Sequence, residues 1–134
     1  MTKETHVKNV LKYSLINAFT KGYIDGDIAL KLADKVKFEF SKDLPTTYLA
    51  RVSMSSDGSI VIRLYKKSIK EVYRQKYLLN GIKPTSFLHA IQLVVEHEIA
   101  HIINDIDGGN GHDESFKSIA LNLFKHTEVH GRKI

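Results

Sequence analysis

Apolar residues recur at helical spacing near both ends of the chain and alternate with polar residues in its middle. Near the start this spacing predicts a first helix, and Asp25-Gly26-Asp27 predicts the cap of a short second one. Residues 86–104 are apolar on nearly every side of a predicted helix, which is typical of a buried helix. Residues 113–124 predict a further, amphipathic helix. The apolar positions of the first helix are Val7, Val10, Leu11, Leu15, Ala18 and Phe19.

Three segments between these helices show the alternation of half-buried strands. They are residues 36–40, 47–54 and 59–65, and the last two flank Ser55-Ser56-Asp57-Gly58. A turn of Asp and Gly between two apolar runs is a strong hairpin signal. We therefore predict an α+β fold in one domain, residues 1–134, with N-terminal helices followed by a small antiparallel sheet.

Five residues inside the long apolar helix carry the strongest chemical signal. They read His97-Glu98-Ile99-Ala100-His101, the HExxH pattern of zinc peptidases. Positions i and i+4 lie on one face of a helix, so His97 and His101 can reach the same metal ion. Glu98, beside that ion, can take a proton from its water. The motif predicts a hydrolase with one Zn2+ ion, most simply a peptidase with a zincin-like fold and an HExxH active-site helix.

A catalytic zinc usually has three protein ligands, so a third must lie elsewhere in the chain. His112 follows a loop rich in Gly and Asp and stands at the start of the last helix, from which it could point back at the metal. Asp107 is a rival at the metzincin position, six residues after the second His, although Asn104 replaces the Gly of that pattern. Glu114 and Glu128 are further candidates for a carboxylate ligand.

These residues resemble the SprT-like metallopeptidases, the group that includes Spartan. The likeness rests on the HExxH motif, a short loop and then Gly111-His112-x-x-x-Phe116, with residues 59–64 similar to the strand that precedes the family's basic segment and active helix. It covers roughly residues 58–127, about half of the chain.

The resemblance implies zinc at His97, His101 and His112, with Glu98 as the general base. It also implies a role in cleaving proteins that are bound or crosslinked to DNA. Since the chain contains no Cys, we expect no C-terminal zinc ribbon of the kind found in many bacterial and archaeal members. We also expect the DNA-binding and partner-binding tails of eukaryotic members to be missing.

The formal net charge of +5 is concentrated in residues 63–83, which carry +6 against −1 for the rest of the chain. Basic and aromatic side chains together can hold a nucleic-acid backbone and stack bases. The simpler interpretation is the solvated face of an amphipathic helix. Ser68-x-x-Glu71 predicts a capping box at the start of that helix, and Asn80-Gly81 predicts its end. The candidate nucleic-acid contacts are Lys66, Lys67, Lys70 and Arg74.

Two functions are compatible with this sequence. The first is a zinc peptidase that acts on protein or peptide substrates, including DNA-bound ones, and an edge strand near the metal helix could bind such a substrate by adding it to the sheet. The second is a non-catalytic DNA- or protein-binding module with a structural metal site and a basic face at residues 63–83. A targeting partner is compatible with both.

The composition of the chain bears on membrane contact and on cellular location. The chain has no run of about 20 apolar residues that could span a membrane, and its first residues do not read as a signal peptide. We therefore expect no membrane contact and an intracellular location, cytoplasmic or nuclear.

Among polar residues near the motif, we expect His89 to be packed or partly exposed, Glu96 to lie at the surface, and Asp105 to be able to orient a ligand imidazole.

Overall fold

The structure, a computed structural model, describes residues 2–42 and 48–127 with their side chains, and residues 132–133 by their backbone. This part of the chain has a mixed α+β fold with five helices and a small three-stranded sheet. The helices are α1 (Lys3–Thr20), α2 (Gly26–Lys35), α3 (Lys66–Arg74), α4 (Phe87–Ile106) and α5 (Glu114–Phe124). The strands are β1 (Val36–Ser41), β2 (Ala50–Met54), β3 (Ile60–Tyr65), β4 (Tyr77–Leu78) and β5 (Arg132–Lys133).

Short polar side chains cap four of the helices at their N-termini. Asp25 accepts a hydrogen bond of 2.8 Å from the N–H of Ile28, which confirms the predicted start of α2. Ser86 does the same for α4, and Thr2 and Asp113 do so for α1 and α5. Such caps satisfy N–H groups that have no partner in the first turn of a helix. The helices predicted from apolar spacing are confirmed, with ends shifted by a few residues.

The sheet has the strand order β1-β3-β2, and its direction differs from the prediction. β2 and β3 form the predicted antiparallel hairpin, whose turn includes Gly58 at a φ of 86°. β1, however, runs parallel to β3 along its other edge, from Val36 beside Ile60 to Ser41 beside Tyr65. The expectation of an antiparallel sheet was therefore wrong for β1, because alternation of side chains reads the same in both strand directions. The predicted start of β2 at residue 47 lies outside the described residues.

α3 also departs from its predicted boundaries. It begins at Lys66, directly after β3, so Ser68 lies inside the helix and the predicted capping box is wrong. It ends at Arg74 instead of Asn80-Gly81, because the chain turns at Lys76 with a φ of 61°. The next residues form β4, which pairs antiparallel with β5.

α4 lies at the centre of the fold. It packs against α1, α3, α5 and the sheet, which explains why it is apolar on nearly every side. Ile91, Leu93, Val95, Ile99 and Ile103 of α4 are fully buried. None of the helices in the described ranges is long and apolar enough to cross a membrane.

Candidate metal centre

Two imidazoles project from one side of α4. No Gly or Pro interrupts the helix, so it continues through the HExxH motif and places His97 and His101 one turn apart. Their ring centroids are 4.8 Å apart, and both rings are half-buried against Phe116 of α5. The motif therefore has the local geometry that its spacing predicted.

A third imidazole reaches the same place from the loop after α4. The loop reverses the chain through Gly108 and Gly111, whose φ angles of 88° and 57° fall in the left-handed region that favours glycine. α5 then begins at Glu114 and packs beside α4. His112, two residues before α5, is carried back to the two histidines of α4.

The three Nε2 atoms form a nearly equilateral triangle. The distances are 3.2 Å from His97 to His101, 3.0 Å from His101 to His112, and 3.3 Å from His112 to His97. For tetrahedral zinc with Zn–N bonds of about 2.0–2.1 Å, neighbouring ligand nitrogens lie about 3.3–3.4 Å apart. These three histidines could therefore hold a metal ion, and the triangle is close to the size that zinc requires.

Hydrogen bonds alone do not explain this triangle. A hydrogen bond needs one nitrogen that carries a proton and one that does not. Among three mutually close Nε2 atoms, at least two must be in the same state, so at least one contact sets two lone pairs or two N–H groups against each other. A metal ion accepts all three lone pairs at once, which removes the conflict.

The ring of Phe116 contacts all three imidazoles. Its ring stacks on His101 with a centroid distance of 4.2 Å and an angle of 25°, and meets His97 and His112 edge-on at 5.2 Å and 5.0 Å. Phe116 is itself fully buried. The residue quoted from the Gly-His-x-x-x-Phe pattern thus limits how far the imidazoles can rotate.

Hydrogen bonds of Asp113, which we call the polar tie, join the loop to α4 and hold His112 in place. The Asp113 carboxylate accepts hydrogen bonds from the side chain of Asn104 and from the backbone N–H groups of Asn110 and Phe116, at 3.1, 2.9 and 2.8 Å. These hydrogen bonds lower the pKa of Asp113. Asn104 is fully buried, and only glycine fits at position 109, since a Cβ there would overlap the Asn104 side chain. Sequence reasoning missed this tie and noted Asn104 only as a departure from the metzincin pattern.

Glu98 lies beside this triangle on α4. At about 100° per residue, the direction of Glu98 from the helix axis lies roughly 80° from the midpoint between His97 and His101. It is on the side of α4 that carries Ile102 and Asp105, which line a cleft together with residues of β2. Burial raises the pKa of the Glu98 carboxyl from 4.5 to about 7. A carboxyl that titrates near neutral pH can both accept and donate a proton there.

The raised pKa of Glu98 predicts a pH-dependent cost in protein freed of metal. Below pH 4.5 the carboxyl is neutral in the folded and unfolded states, so it costs nothing. As pH rises from 4.5 to 7, only the unfolded state loses the proton, so the free energy of unfolding falls, by about 3 kcal/mol in all. We expect Glu98→Gln to stabilise metal-free protein by that order at pH 8 and hardly at pH 4, measured by urea unfolding. Equal effects at both pH values would contradict the assignment.

Burial and the neighbouring His112 favour the neutral form of His101. Burial lowers the pKa of His101, and the neighbouring His112 lowers it further, whereas Asp105 raises it. Neutral imidazole is the form that binds metal. Asp105, predicted as a residue that could orient an imidazole, thus acts on His101 at least through its charge.

Two of the rival ligands, Asp107 and Glu114, lie at exposed positions. Asp107 is the exposed C-cap of α4, and the Glu114 side chain is 92% exposed and paired with Lys117. Among the described residues, neither joins the group of ligand atoms formed by the three histidines. Glu128 lies outside the described residues. His89 accepts a hydrogen bond from the N–H of Thr85, near the start of α4.

Glu96 does not lie at the surface as expected. Its carboxylate meets His126 Nε2 at 2.9 Å and accepts a hydrogen bond from Gln92, and the side chains of Glu96 and His126 are both largely buried. No local sequence pattern around Glu96 or His126 predicts their contact, because 30 residues separate them. This pair joins the segment after α5 to α4.

The basic residues of α3 share one face. At about 100° per residue, Lys66, Lys70, Arg74 and Lys67 fall within roughly 100° of one another. Ile69 points away from this face, roughly 110° from its middle, and is fully buried. Lys67, Lys70 and Arg74 are exposed, and Arg74 pairs with Glu71 at 3.2 Å. We call these four residues the α3 basic face.

Comparison of the chain with protein-family models, with curated proteins and with solved structures found no match. The likeness to SprT-like metallopeptidases therefore rests on the motif residues alone. What the chain does must be inferred from its own geometry.

Proposed function

We propose that this protein is a zinc metallopeptidase that resembles the SprT-like metallopeptidases. The observation that carries the proposal is the triangle of Nε2 atoms from His97, His101 and His112, with the carboxyl of Glu98 on the adjacent side of α4. Three imidazoles suit zinc among the common divalent metals. Three protein ligands, with a further position for water or substrate, are typical of catalytic zinc, whereas structural zinc usually has four.

The proposed chemistry divides between the metal and Glu98. When bound, zinc would polarise the scissile carbonyl and lower the pKa of the attacking water. Glu98 would take the proton of that water as it attacks and pass it to the nitrogen of the leaving amine. Its raised pKa supports this role, because a group with a pKa near 7 can perform both transfers at neutral pH.

The polar tie and Phe116 would prepare the site before substrate arrives. Asn104 and Asp113 fix the loop, while Phe116 limits ring rotation, so each Nε2 already points to a common centre. Ligands held in position lose less freedom when a metal binds. This support is consistent with a site built to keep its metal through turnover.

Removal of metal tests the proposal. We expect a strong chelator to abolish cleavage of an unfolded protein substrate such as casein, and one equivalent of zinc to restore it, because the polarised water is lost with the metal. Mg2+, which prefers oxygen ligands, is the control ion and should restore nothing. Circular dichroism before and after chelation shows whether the fold persists. Cleavage that persists in fully metal-free protein would refute the proposal.

A second candidate function is nucleic-acid binding by the α3 basic face, either alone or to bring the peptidase to DNA-bound proteins. The exposed side chains of Lys67, Lys70 and Arg74 on one side of α3 favour it. Such a face would contact phosphates and release counterions from them.

Salt dependence tests the α3 basic face. Each phosphate contact adds about 0.9 to the slope of log K against log salt for duplex DNA. Replacing the four residues by Gln should therefore reduce the slope by about 3, since Arg74 is partly occupied by Glu71. The matched control replaces four exposed lysines elsewhere, Lys8, Lys12, Lys31 and Lys37, with the same change of charge. Equal effects of the two variants would exclude the α3 basic face as the contact.

A further inference from the structure

A groove of about 1030 Å³ lies between α1 on one side and α2 and β1 on the other. Its lining is mostly apolar and includes no described residue of α4 or of the loop that carries His112. On α1 the lining extends from Glu4 to Phe19, which is about 22 Å, or four turns, at a rise of 1.5 Å per residue. The groove therefore shares no lining residue with the candidate metal centre, and it is long enough to hold a helix of several turns.

The groove exists because small residues of α2 face large residues of α1. Gly26, Ala29 and Ala33 all line it, and they lie within about 60° of one another at about 100° per residue. A Cβ at Gly26 would lie 3.8 Å from the ring of Phe19, so the start of α2 lies beside the end of α1. The large side chain that α2 adds to the lining, Leu30, is exposed and leaves the space between the two helices open.

Large apolar side chains of the groove are open to solvent. Ile16 and Phe19 of α1 and Leu30 of α2 are 51%, 53% and 73% exposed. The buried side chains of Leu11 and Leu15 lie deeper in the same lining. A contiguous exposed apolar patch with a polar rim marks an interaction site. The groove thus offers apolar surface that a bound partner would remove from water.

The charges of the lining differ along its length. Lys8 and Lys12 are exposed and lie one turn apart in the middle of the α1 side, and Lys37 lies on β1 across the groove. The ion pairs found among the described residues involve none of these three lysines. The two acidic residues of the lining lie toward its ends, because Glu4 is in the first turn of α1 and Asp27 is in the first turn of α2, beside the last turn of α1. The middle of the groove is therefore basic.

We propose that this groove docks an amphipathic helix of a partner protein, whose apolar stripe lies between α1 and α2 and whose middle turns carry acidic residues. Docking of this kind uses apolar side chains at i, i+3, i+4 and i+7, which share one face of the bound helix. Acidic side chains one turn apart on that helix match Lys8 and Lys12, since four residues rise about 6 Å in both helices. Acidic residues at its ends would instead meet Glu4 and Asp27, so the negative charge belongs in the middle. This docking does not depend on the proposed peptidase function.

Designed peptides test the docking on the unmodified protein. The probe is a rhodamine-labelled amphipathic helix of about 18 residues, with Leu along one face, Glu in its middle turns and Gln elsewhere. One comparison peptide has the same composition in scrambled order, and the other has Lys in place of each Glu. We expect both to bind at least about tenfold more weakly by fluorescence anisotropy, because the first loses its apolar face and the second reverses its charges. Equal binding of the probe and either comparison peptide, or no binding of the probe, would overturn the proposal.

Filling the groove links the binding to its place. Ala33→Trp adds a large ring at an exposed position of the lining and should weaken binding of the probe about tenfold or more. Ser118→Trp makes a similar addition at an exposed position of α5 outside the lining, and it should bind the probe as wild type does. Circular dichroism shows that both variants are folded. Equal affinities of the two folded variants would contradict the assignment to the groove.

Reversing the basic charges gives a second, independent check. In a variant with Lys8→Glu and Lys12→Glu, the preference should reverse, so that the Lys peptide binds more tightly than the Glu probe. The control variant, Lys67→Glu with Lys70→Glu, makes the same change of charge on exposed residues of α3 and should still prefer the Glu probe. The proposal fails if both variants keep the same preference, because the attraction would then come from net charge and not from the groove.

Two other occupants would show themselves in the same set of proteins. A dimer of wild-type protein that Ala33→Trp dissociates, measured by sedimentation equilibrium, would assign the groove to a second copy of this chain. Binding to phosphatidylglycerol vesicles that the same variant abolishes would assign it to an anionic lipid surface. Either result without binding of the probe would overturn the proposal of a partner helix.

Discussion

Glu98→Gln protein should keep its zinc and its fold while cleavage of casein falls by roughly 10²–10⁴-fold, the usual contribution of a general base. Gln has nearly the same shape as Glu but cannot accept a proton at neutral pH. Because the metal would be held by the three histidines, zinc content should stay at one ion per chain. The loss should appear in kcat more than in KM, since Glu98 acts on the attacking water and not on the substrate as it binds.

Glu114→Gln is the matched control for this variant. It makes the same chemical change at a side chain that is 92% exposed and lies outside the histidine group. It should cleave within about twofold of wild type, because the one interaction named for Glu114, its ion pair with Lys117, is exposed to solvent and exposed ion pairs contribute little. Full activity in Glu98→Gln, or loss of its zinc, would show that Glu98 is not a base acting beside an independent metal site.

The parts of the fold that were predictable depend on short-range signals. Asp25 and Ser86 cap helices through bonds to residues three positions away, and the Ser55–Gly58 turn closes a hairpin between neighbouring strands. The burial of α4 was also predictable, because a helix that is apolar all round needs neighbours on every side.

Errors occurred where a distant contact decides the outcome. The direction of β1 depends on pairing with β3, more than 20 residues away, and nothing in its alternating pattern encodes that direction. α3 starts earlier than its polar signal because it continues directly from the last residue of β3, and Ser68 is then only an internal residue. The buried pair of Glu96 and His126 has the same cause, since each residue alone reads as a surface group.

Two of the three candidate metal ligands were predictable from the sequence, and the third was not. The spacing of His97 and His101 fixes their relation within one helix, whatever the rest of the chain does. The third ligand could not be fixed in this way, and His112, Asp107, Glu114 and Glu128 all remained open. Tertiary structure distinguishes His112 from the nearer rivals. Gly108 and Gly111 turn the loop, Asp113 ties it to Asn104, and Asp107 is left exposed at the end of α4.

His112→Ala should lose bound zinc while the protein stays folded. Zinc sites with four ligands bind with about 10–16 kcal/mol, so one ligand contributes roughly 3 kcal/mol, and its removal should weaken zinc binding by about a hundredfold or more. His112 is exposed and lies outside α5, so alanine removes a ligand without opening the core. Zinc content by elemental analysis, after dialysis against a weak chelator, measures the loss, and thermal unfolding at pH 7 confirms the fold.

Two variants make this result specific to the triangle. His89→Ala removes a histidine of α4 that bonds Thr85 instead of facing the other rings, and Asp107→Ala removes the carboxylate at the metzincin position. Both should retain one zinc per chain. Loss of zinc in Asp107→Ala but not in His112→Ala would mean that the metal is held by a carboxylate and two histidines, and the likeness to SprT-like metallopeptidases would then fail with the triangle. Loss in His112→Ala alone ties the metal to the loop that Asn104 and Asp113 hold against α4, and so to the residues that carry the proposed chemistry.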